Sequence, residues 1–226
     1  GAGMGLLPLV AACEEIGVHS GSLARLLATQ VQCAVALAHA TDQGLLDDVV
    51  AGEKIAAWVG LEHGIVASGG KLRGKAELVP AAAEAEVIVV AAHDAGKLVM
   101  AIVDAKACER APLRPLGLAS AGAARIAFAD SAAKIVATGD VAGKAVRSAE
   151  VLACIAGAAT LVGMGRAAVQ LSYKHAGERI AFGKPLLAQG AVARKLVEGQ
   201  RGIEAARHLA FHAARLHDLG EDADGA

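Results

Sequence analysis

The chain has 226 residues and a net charge of −1, from 22 basic and 23 acidic residues, which gives no electrostatic reason to expect nucleic acid or an anionic membrane as a partner. Hydrophobic residues make up 55% of the sequence but aromatic residues only 2%. Because alanine and glycine bury little area, the core must rely on close backbone approach, on Leu, Val and Ile, or on a partner chain, unless the composition only reflects a coding bias.

Residues 6 to about 50 are predicted to be helical, because their apolar positions recur at helical spacing. Asp42 is predicted to be the N-cap of a short helix in this part. This helical part is predicted to form a partial N-terminal domain, residues 1–54.

The middle of the chain, residues 55–143, is predicted to be a β-domain. Short runs with β-branched residues, bounded by Gly, Pro and Asp, lie at residues 87–90, 98–103 and 125–128. Since no ten-residue helical pattern separates these runs, they predict a mostly antiparallel sheet or a small barrel.

The last part, residues 144–226, returns to a helical pattern and is predicted to be a partial C-terminal helical domain. One amphipathic helix is predicted over about residues 146–176 and a second over about residues 191–216. The sequence Phe182-Gly183-Lys184-Pro185 between them predicts a helix end followed by a turn.

Cysteine usage and hydropathy indicate the compartment. The cysteines are far apart and lack the spacing of a metal site: Cys13, Cys33, Cys108 and Cys154. They are predicted to be small buried thiols in a reducing cytoplasm. The longest weakly polar run, residues 151–165, is shorter than the roughly 20 residues of a membrane span. A cytoplasmic protein with no membrane partner is therefore expected.

The eight histidines invite a metal interpretation, and His208 and His212 have the i, i+4 spacing of ligands on one helix face. No acidic or Cys residue is spaced to complete a site with them. Solvated or packed histidines are the preferred interpretation, and no metal is predicted.

Residues 163–186 resemble a signature of the acyl-CoA dehydrogenase family. The family has a helix of the form Gly-x-x-x-x-Ala and then Tyr-x-x-x-Arg-x-x-Phe-Gly-x-Pro. Here Arg179, Phe182, Gly183 and Pro185 match this pattern, while His175 stands at the Tyr position. Weaker matches lie, in the family's order, at residues 14–17, 72–75 with 85–90, and 203–207. The resemblance spans about residues 6 to 217 and implies an α+β fold with N-terminal helices, a middle antiparallel β-domain and a partial C-terminal helical bundle.

The resemblance implies an FAD-dependent enzyme that desaturates an acyl-CoA thioester, with this corner reaching into a neighbouring subunit's flavin site. Arg179 would then contact a phosphate or ribose of FAD, because a guanidinium offers fixed bidentate donors. Phe182 would be an apolar wall beside the adenosine, and Gly183 would permit a tight turn. Gln189 stands one residue before the family's Gln and could replace it by a local shift. The alternative is that Arg179 only pairs with Glu178 or a nearby carboxylate.

The family's catalytic base is not found in this sequence. Acyl-CoA dehydrogenation needs a carboxylate beside the flavin to accept the α-proton. Counting back from Arg179 places one family position of the base at about Ala153, which cannot accept a proton. Glu150, nearly one turn earlier, would serve only if the alignment slips. The family's other position lies in a loop beyond the helical hairpin, which this chain does not reach, so no catalytic residue is predicted.

Contacts to the chain's own flavin are also depleted. The family's Thr-Glu-x-x-x-Gly-Ser-Asp segment aligns with residues 61–65, where Leu61 replaces the leading threonine, and its Trp-Ile-Ser/Thr segment aligns with about residues 77–79, which have no hydroxyl. The chain thus keeps the contact made to a neighbour and loses those made to its own cofactor. Heteromeric acyl-CoA dehydrogenases of actinobacterial steroid breakdown are similar in this respect.

The resemblance therefore implies a catalytic partner subunit in a hetero-oligomer, expected to be a heterotetramer, with shared FAD and an acyl-CoA substrate. The sequence does not distinguish a fatty from a steroid-derived acyl group. Two alternatives stay open at this stage. One is a non-enzymatic helical oligomerisation scaffold that has lost flavin binding. The other is an ordinary homotetrameric acyl-CoA dehydrogenase whose catalytic segment is absent from this chain.

Overall fold

The computed structural model describes residues 5–221, and it begins with three helices. These are α1 (Leu7–His19), α2 (Gly21–Leu37) and α3 (Gln43–Ala51). The predicted cap of α3 is confirmed, because the Asp42 carboxylate accepts a hydrogen bond from the Leu45 amide at 3.2 Å. Gly52 ends the helix in the left-handed conformation, as glycine does at helix C-termini.

Eight strands follow and form one sheet. They are β1 (Ala56–Val59), β2 (Val66–Ser68), β3 (Lys71–Val79), β4 (Val87–Asp94), β5 (Lys97–Asp104), β6 (Glu109–Pro112), β7 (Ala124–Ala132) and β8 (Lys134–Thr138). Their spatial order is β6-β7-β3-β2-β4-β5-β8, and β1 also pairs with β4. The sheet is mostly antiparallel, as predicted, but β1 and β2 both run parallel to β4. Strand β1 pairs with the first half of β4 and β2 with its end, while β5 pairs antiparallel with the whole of β4.

The C-terminal part is a helical hairpin. Helix α4 (Gly139–Glu178) is followed by the short strands β9 (Ile180–Ala181) and β10 (Lys184–Pro185) and then by α5 (Gly190–Asp218). Both predicted helices are confirmed, and α4 begins several residues earlier than the pattern indicated. By length and composition α4 could also span a membrane, since an 18-residue window has a mean hydropathy of 1.6 and is 39% buried. A core helix of a soluble protein meets the same criterion, so no membrane assignment follows.

The contacts divide the chain into two compact units. Unit 1 comprises residues 1–24 and 154–226, and unit 2 comprises residues 25–153. The division at residues 54/55 and 143/144 stays a prediction.

Unit 2 has an apolar cluster on each face of its sheet. Alternate residues of β4 belong to different clusters, because successive side chains of a strand point to opposite faces. Ile88 and Val90 belong to one cluster, and Val87 and Val89 to the other. The second cluster also includes Leu37 of α2 and Val146 of α4. The Gln30 side chain fixes the start of β1 through two hydrogen bonds. Its Oε1 accepts from the Ala56 amide at 2.9 Å, and its Nε2 donates to the Ala56 carbonyl at 2.7 Å.

Unit 1 is held together by close approach of α1 and α4. Gly17 faces Thr160, whose carbonyl oxygen would lie 2.7 Å from an added Cβ, and a Cβ on Gly163 would overlap the carbonyl of Glu14. The close backbone approach expected from the Ala- and Gly-rich composition is therefore observed here.

We expect Gly163→Ala to destabilise the protein and Gly157→Ala to be tolerated. The new methyl at 163 meets backbone, which cannot move without separating the helices, and overpacking of this kind costs about 1–3 kcal/mol. Gly157 lies in the same helix with no atom within 4 Å of an added Cβ, so alanine there should add up to about 1 kcal/mol of stability. Urea denaturation of both variants measures this difference, and equal midpoints would contradict the close helix crossing.

Candidate cofactor-binding corner

The candidate site is the segment that joins α4 to α5, residues 179–189, called here the corner segment. Strands β9 and β10 pair with Lys184 opposite Ala181 and Pro185 opposite Ile180. The two residues between them, Phe182 and Gly183, have φ values of +54° and +76°, as in a type I′ turn. The predicted helix end and turn are thus confirmed.

The base of this hairpin is tied by backbone hydrogen bonds. The Leu186 amide donates to the Arg179 carbonyl at 2.8 Å, and the Gln189 amide donates to the Leu186 carbonyl at 2.9 Å. Gln189 is the N-cap residue of α5, but its side chain makes no capping bond. The corner segment is therefore ordered by its own backbone, which leaves several of its side chains unused.

Arg179 is exposed, and within residues 5–221 its guanidinium has no ion pair or side-chain hydrogen bond. The alternative interpretation, in which Arg179 pairs with Glu178 or another carboxylate, is not observed among these residues. A neighbouring cation of α5 does behave that way, since Arg194 pairs with Glu198 at 2.8 Å. Arg179 thus differs from an arginine engaged on its own helix face.

Phe182 is 95% exposed, and it holds a left-handed backbone conformation. A bulky residue in this conformation costs about 1–2 kcal/mol, and the ring gains no burial within the described chain. Gly183 takes the second left-handed position without such a cost. The corner segment contains all four predicted residues, Arg179, Phe182, Gly183 and Gln189, and their contact with FAD stays a prediction.

The position assigned to the missing base lies on α4. Ala153 is half-buried there and offers no proton acceptor. Glu150, one turn earlier, is also half-buried, and burial, followed by the nearby negative charge of Glu62, raises the pKa of its carboxyl. Glu62 lies in the 3₁₀ turn Leu61–His63 that follows β1, with a carboxylate oxygen 3.4 Å from the His63 ring.

We expect Glu150→Gln to stabilise the protein at neutral pH. The folded state raises the pKa of the Glu150 carboxyl, so folding favours its protonated form. The contribution of this carboxyl to the free energy of unfolding is therefore fully present below its pKa in the unfolded chain, about 4.3, and is lost as pH rises through its higher pKa in the folded protein. The Tm advantage of the variant over the wild type should therefore grow with increasing pH and vanish in acid. In a protein that keeps Glu150, the Glu62→Gln substitution should bring the pKa of Glu150 closer to its ordinary value. A Tm difference independent of pH would contradict this.

The segments aligned with the family's own-flavin contacts lie in unit 2. Leu61 is half-buried at the start of the 3₁₀ turn, and Glu77 forms a surface ion pair with Arg125 at 2.6 Å. Leu78 is 54% exposed. None of these side chains is a hydroxyl donor, as the sequence indicated.

The cysteines agree only partly with the prediction. All are free; Cys13 and Cys33 are buried, and burial raises the pKa of both thiols. Cys108 is only half-buried and Cys154 is exposed, so the predicted burial is wrong for both. The prediction failed for Cys154 because this residue lies on the outward side of α4. A small apolar residue in an Ala- and Gly-rich helix does not indicate from sequence which side of the helix it occupies.

His208 and His212 are exposed on α5, and no group of three or more His, Cys, Asp or Glu suited to a metal occurs among the described residues. Sequence reasoning did not identify a cavity of about 660 Å³ in unit 2, lined among others by Asp48, Lys54 and Arg110. Lys54 pairs with Asp48 at 2.6 Å, and Arg110 donates to the carbonyls of three residues, Ala82, Ala83 and Ala85. These residues are occupied with each other and with the backbone.

Comparison with known proteins identifies the fold. Butyryl-CoA dehydrogenase from Megasphaera elsdenii is similar with a TM-score of 0.82 at 19% identity, covering 94% of this chain and 63% of that one. PigA with FAD and proline has a TM-score of 0.85 at 19% identity, covering 99% and 66%. A structure named Tcur3481-Tcur3483 steroid ACAD G363A variant has a TM-score of 0.81 at 24% identity, covering 97% and 63%. The chain therefore has the acyl-CoA dehydrogenase fold.

The sequence comparisons agree with this fold. Residues 152–226 match the family model described as acyl-CoA dehydrogenase, C-terminal domain. A segment of 63 residues is 40% identical to an acyl-CoA dehydrogenase of Bacillus subtilis (strain 168), covering 28% of this chain and 17% of that protein. The resemblance to the acyl-CoA dehydrogenase family, an FAD-binding oxidoreductase family, is thereby confirmed. The chain spans 66% or less of the length of the three similar structures.

Proposed function

We propose that the chain is a subunit of an FAD-dependent acyl-CoA dehydrogenase, which desaturates an acyl-CoA thioester between its α and β carbons. In this proposal it lacks its own catalytic Glu, and it completes the FAD site of a catalytic partner subunit in a cytoplasmic heterotetramer. The alanine at position 153, where the family has its catalytic Glu, supports the assignment of proton abstraction to the partner subunit.

The observation that carries the proposal is the unused corner segment. It presents an unpaired guanidinium on Arg179 and a 95% exposed ring on Phe182, which the described chain does not itself employ. The corner also leads into α5, which has no acidic residue in its first turn and no side-chain cap. The N-terminus of a helix favours anions, so the corner as a whole suits a phosphate group.

Each residue of the corner has a defined task in this proposal. Arg179 binds the pyrophosphate of FAD through a charge-assisted hydrogen bond. Phe182 covers the adenosine and excludes water, Gly183 lets the backbone approach, and Gln189 donates or accepts a hydrogen bond at the start of α5. FAD supplies the acceptor for the hydride that leaves the β carbon.

The heteromeric arrangement is supported by one of the similar structures, whose name joins two components and describes a steroid ACAD. A steroid-derived acyl group is therefore the substrate to test first, with fatty acyl-CoA thioesters as the comparison. The test of the function is co-expression with a full-length acyl-CoA dehydrogenase subunit of the same organism. We expect a complex with flavin absorbance and a colourless chain alone. Colourless material in both preparations would favour the oligomerisation scaffold.

We expect Phe182→Asn to stabilise the isolated chain but to weaken flavin retention in the complex. Asn-Gly is the preferred pair for a type I′ turn, so the variant removes about 1 kcal/mol of backbone strain and also removes the ring. Thermal unfolding of the chain alone and flavin absorbance of the gel-filtered complex measure the two effects. Lower stability of the isolated variant, or full flavin retention, would contradict the role of this ring.

A further inference from the structure

The two ends of the described chain meet at Asp218, the last residue of α5. Its carboxylate accepts hydrogen bonds from the Leu6 amide at 2.6 Å and from the Leu7 amide at 3.2 Å. The N-cap residue of α1 is Leu6, whose side chain makes no capping bond. Because the first amides of a helix have no partner within that helix, Asp218 acts from 212 residues away as a local Ser, Thr or Asp cap usually does.

Gly5 leaves the room that this contact needs. Its φ is +72°, and a Cβ built on it would overlap the carboxylate of Asp218. A side chain at position 5 would therefore strain the backbone and also push the carboxylate away from the amides. We call this contact, formed by residues 5–7 and Asp218, the terminal clasp.

Apolar packing contributes little to holding these two helix ends together. The side chains that α5 buries are all alanines: Ala210, Ala213 and Ala214. Since an alanine buries little apolar area, polar contacts contribute much of the attachment between α1 and α5. These contacts are the terminal clasp and, further along both helices, the bonds from Arg207 to Glu14. Segments with few buried apolar contacts are those that open locally while the rest of a protein stays folded.

We propose that the terminal clasp is a conformational device that makes the first two turns of α1 and the last two turns of α5 open and close as one unit. In the closed state Asp218 satisfies the amides of α1, and the same bonds hold the end of α5 against that helix. In the open state both helix ends fray together, because neither keeps its partner. A change at residues 5–7 is thus transmitted to the end of α5. The clasp lies entirely in unit 1, and the inference does not depend on the proposed function.

The test is amide hydrogen exchange of the whole chain, measured residue by residue by NMR, in variants altered on either side of the clasp. Asp218→Ala and Asp218→Asn change the acceptor on α5, and Gly5→Ala displaces that acceptor from the α1 side. Glu221→Ala is the matched control, because it removes a carboxylate from an exposed position three residues beyond Asp218. The amides of β4 in unit 2 report whether the protein stays globally folded.

We expect Asp218→Ala to speed exchange at least about 10-fold both in residues 9–13 of α1 and in residues 214–219, since the lost bonds involve a charged acceptor. Gly5→Ala should give the same pattern on both helices, Asp218→Asn a weaker one and Glu221→Ala none, with the amides of β4 unchanged throughout. Faster exchange confined to Leu6 and Leu7 in Asp218→Ala, or confined to α1 in Gly5→Ala, would overturn the inference, because the contact would then be a local cap. Loss of protection in β4 would also overturn it, because the helix ends would then open only with global unfolding.

Discussion

Replacing Arg179 by alanine is expected to remove most of the flavin from the co-purified complex. The guanidinium is exposed and has no partner among residues 5–221, so its loss should not disturb the fold of the chain. A hydrogen bond to a charged group contributes about 1.5–3 kcal/mol, which corresponds to roughly 10- to 150-fold weaker FAD binding. Flavin absorbance per complex after gel filtration, together with an FAD titration, measures the effect.

The control for this variant is Arg114→Ala, which removes an exposed arginine from unit 2. It should leave flavin content and complex formation unchanged. Arg179→Lys separates charge from shape, because lysine keeps the charge but loses the bidentate fork, and it should restore only part of the flavin. Unchanged occupancy in Arg179→Ala would remove the cofactor role from this residue.

Replacing Glu14 by alanine is expected to have the largest effect on stability. Its carboxylate is 3% exposed and accepts hydrogen bonds from Arg166 at 2.6 Å and from Arg207 at 2.8 and 2.9 Å. These contacts join α1, α4 and α5, and the Arg207 guanidinium also lies 4.8 Å from the centroid of the Phe211 ring. Breaking a fully buried ion pair costs about 3–5 kcal/mol. Because Arg166 and Arg207 are 29% and 39% exposed and stay partly solvated, we expect a smaller loss of about 2–3 kcal/mol for Glu14→Ala.

For a chain of this length such a loss lowers Tm by about 4–12 °C. The adjacent Glu15→Ala is the matched control, because Glu15 is 68% exposed and lies 3.5 Å from Arg166. A surface pair of this kind contributes about 0–1 kcal/mol, so its Tm should barely change. Equal shifts for the two variants, measured by calorimetry, would show that the buried network does not hold unit 1 together.

The corner segment could be predicted from sequence because all its determinants are local. The turn is predicted by Gly183, by the proline two residues later and by the helical patterns on either side, without reference to distant residues. The same holds for the Asp42 cap, whose acceptor and donor are three residues apart. The exposure of Phe182 could not be predicted from local sequence, because an aromatic residue in a turn is compatible with burial as well as with exposure.

What the sequence by itself determined is therefore the kind and order of the elements, the family resemblance and the residues of the corner. Only the tertiary structure decided that Glu14 is buried between two arginines 152 and 193 residues away, and that Asp218 accepts hydrogen bonds from the Leu6 and Leu7 amides at the other end of the described chain. It also decided the parallel pairing of β1 with β4 and which side of α4 stays exposed. Periodicity and capping act within a few residues, whereas burial and ion pairing depend on which surfaces the topology brings together.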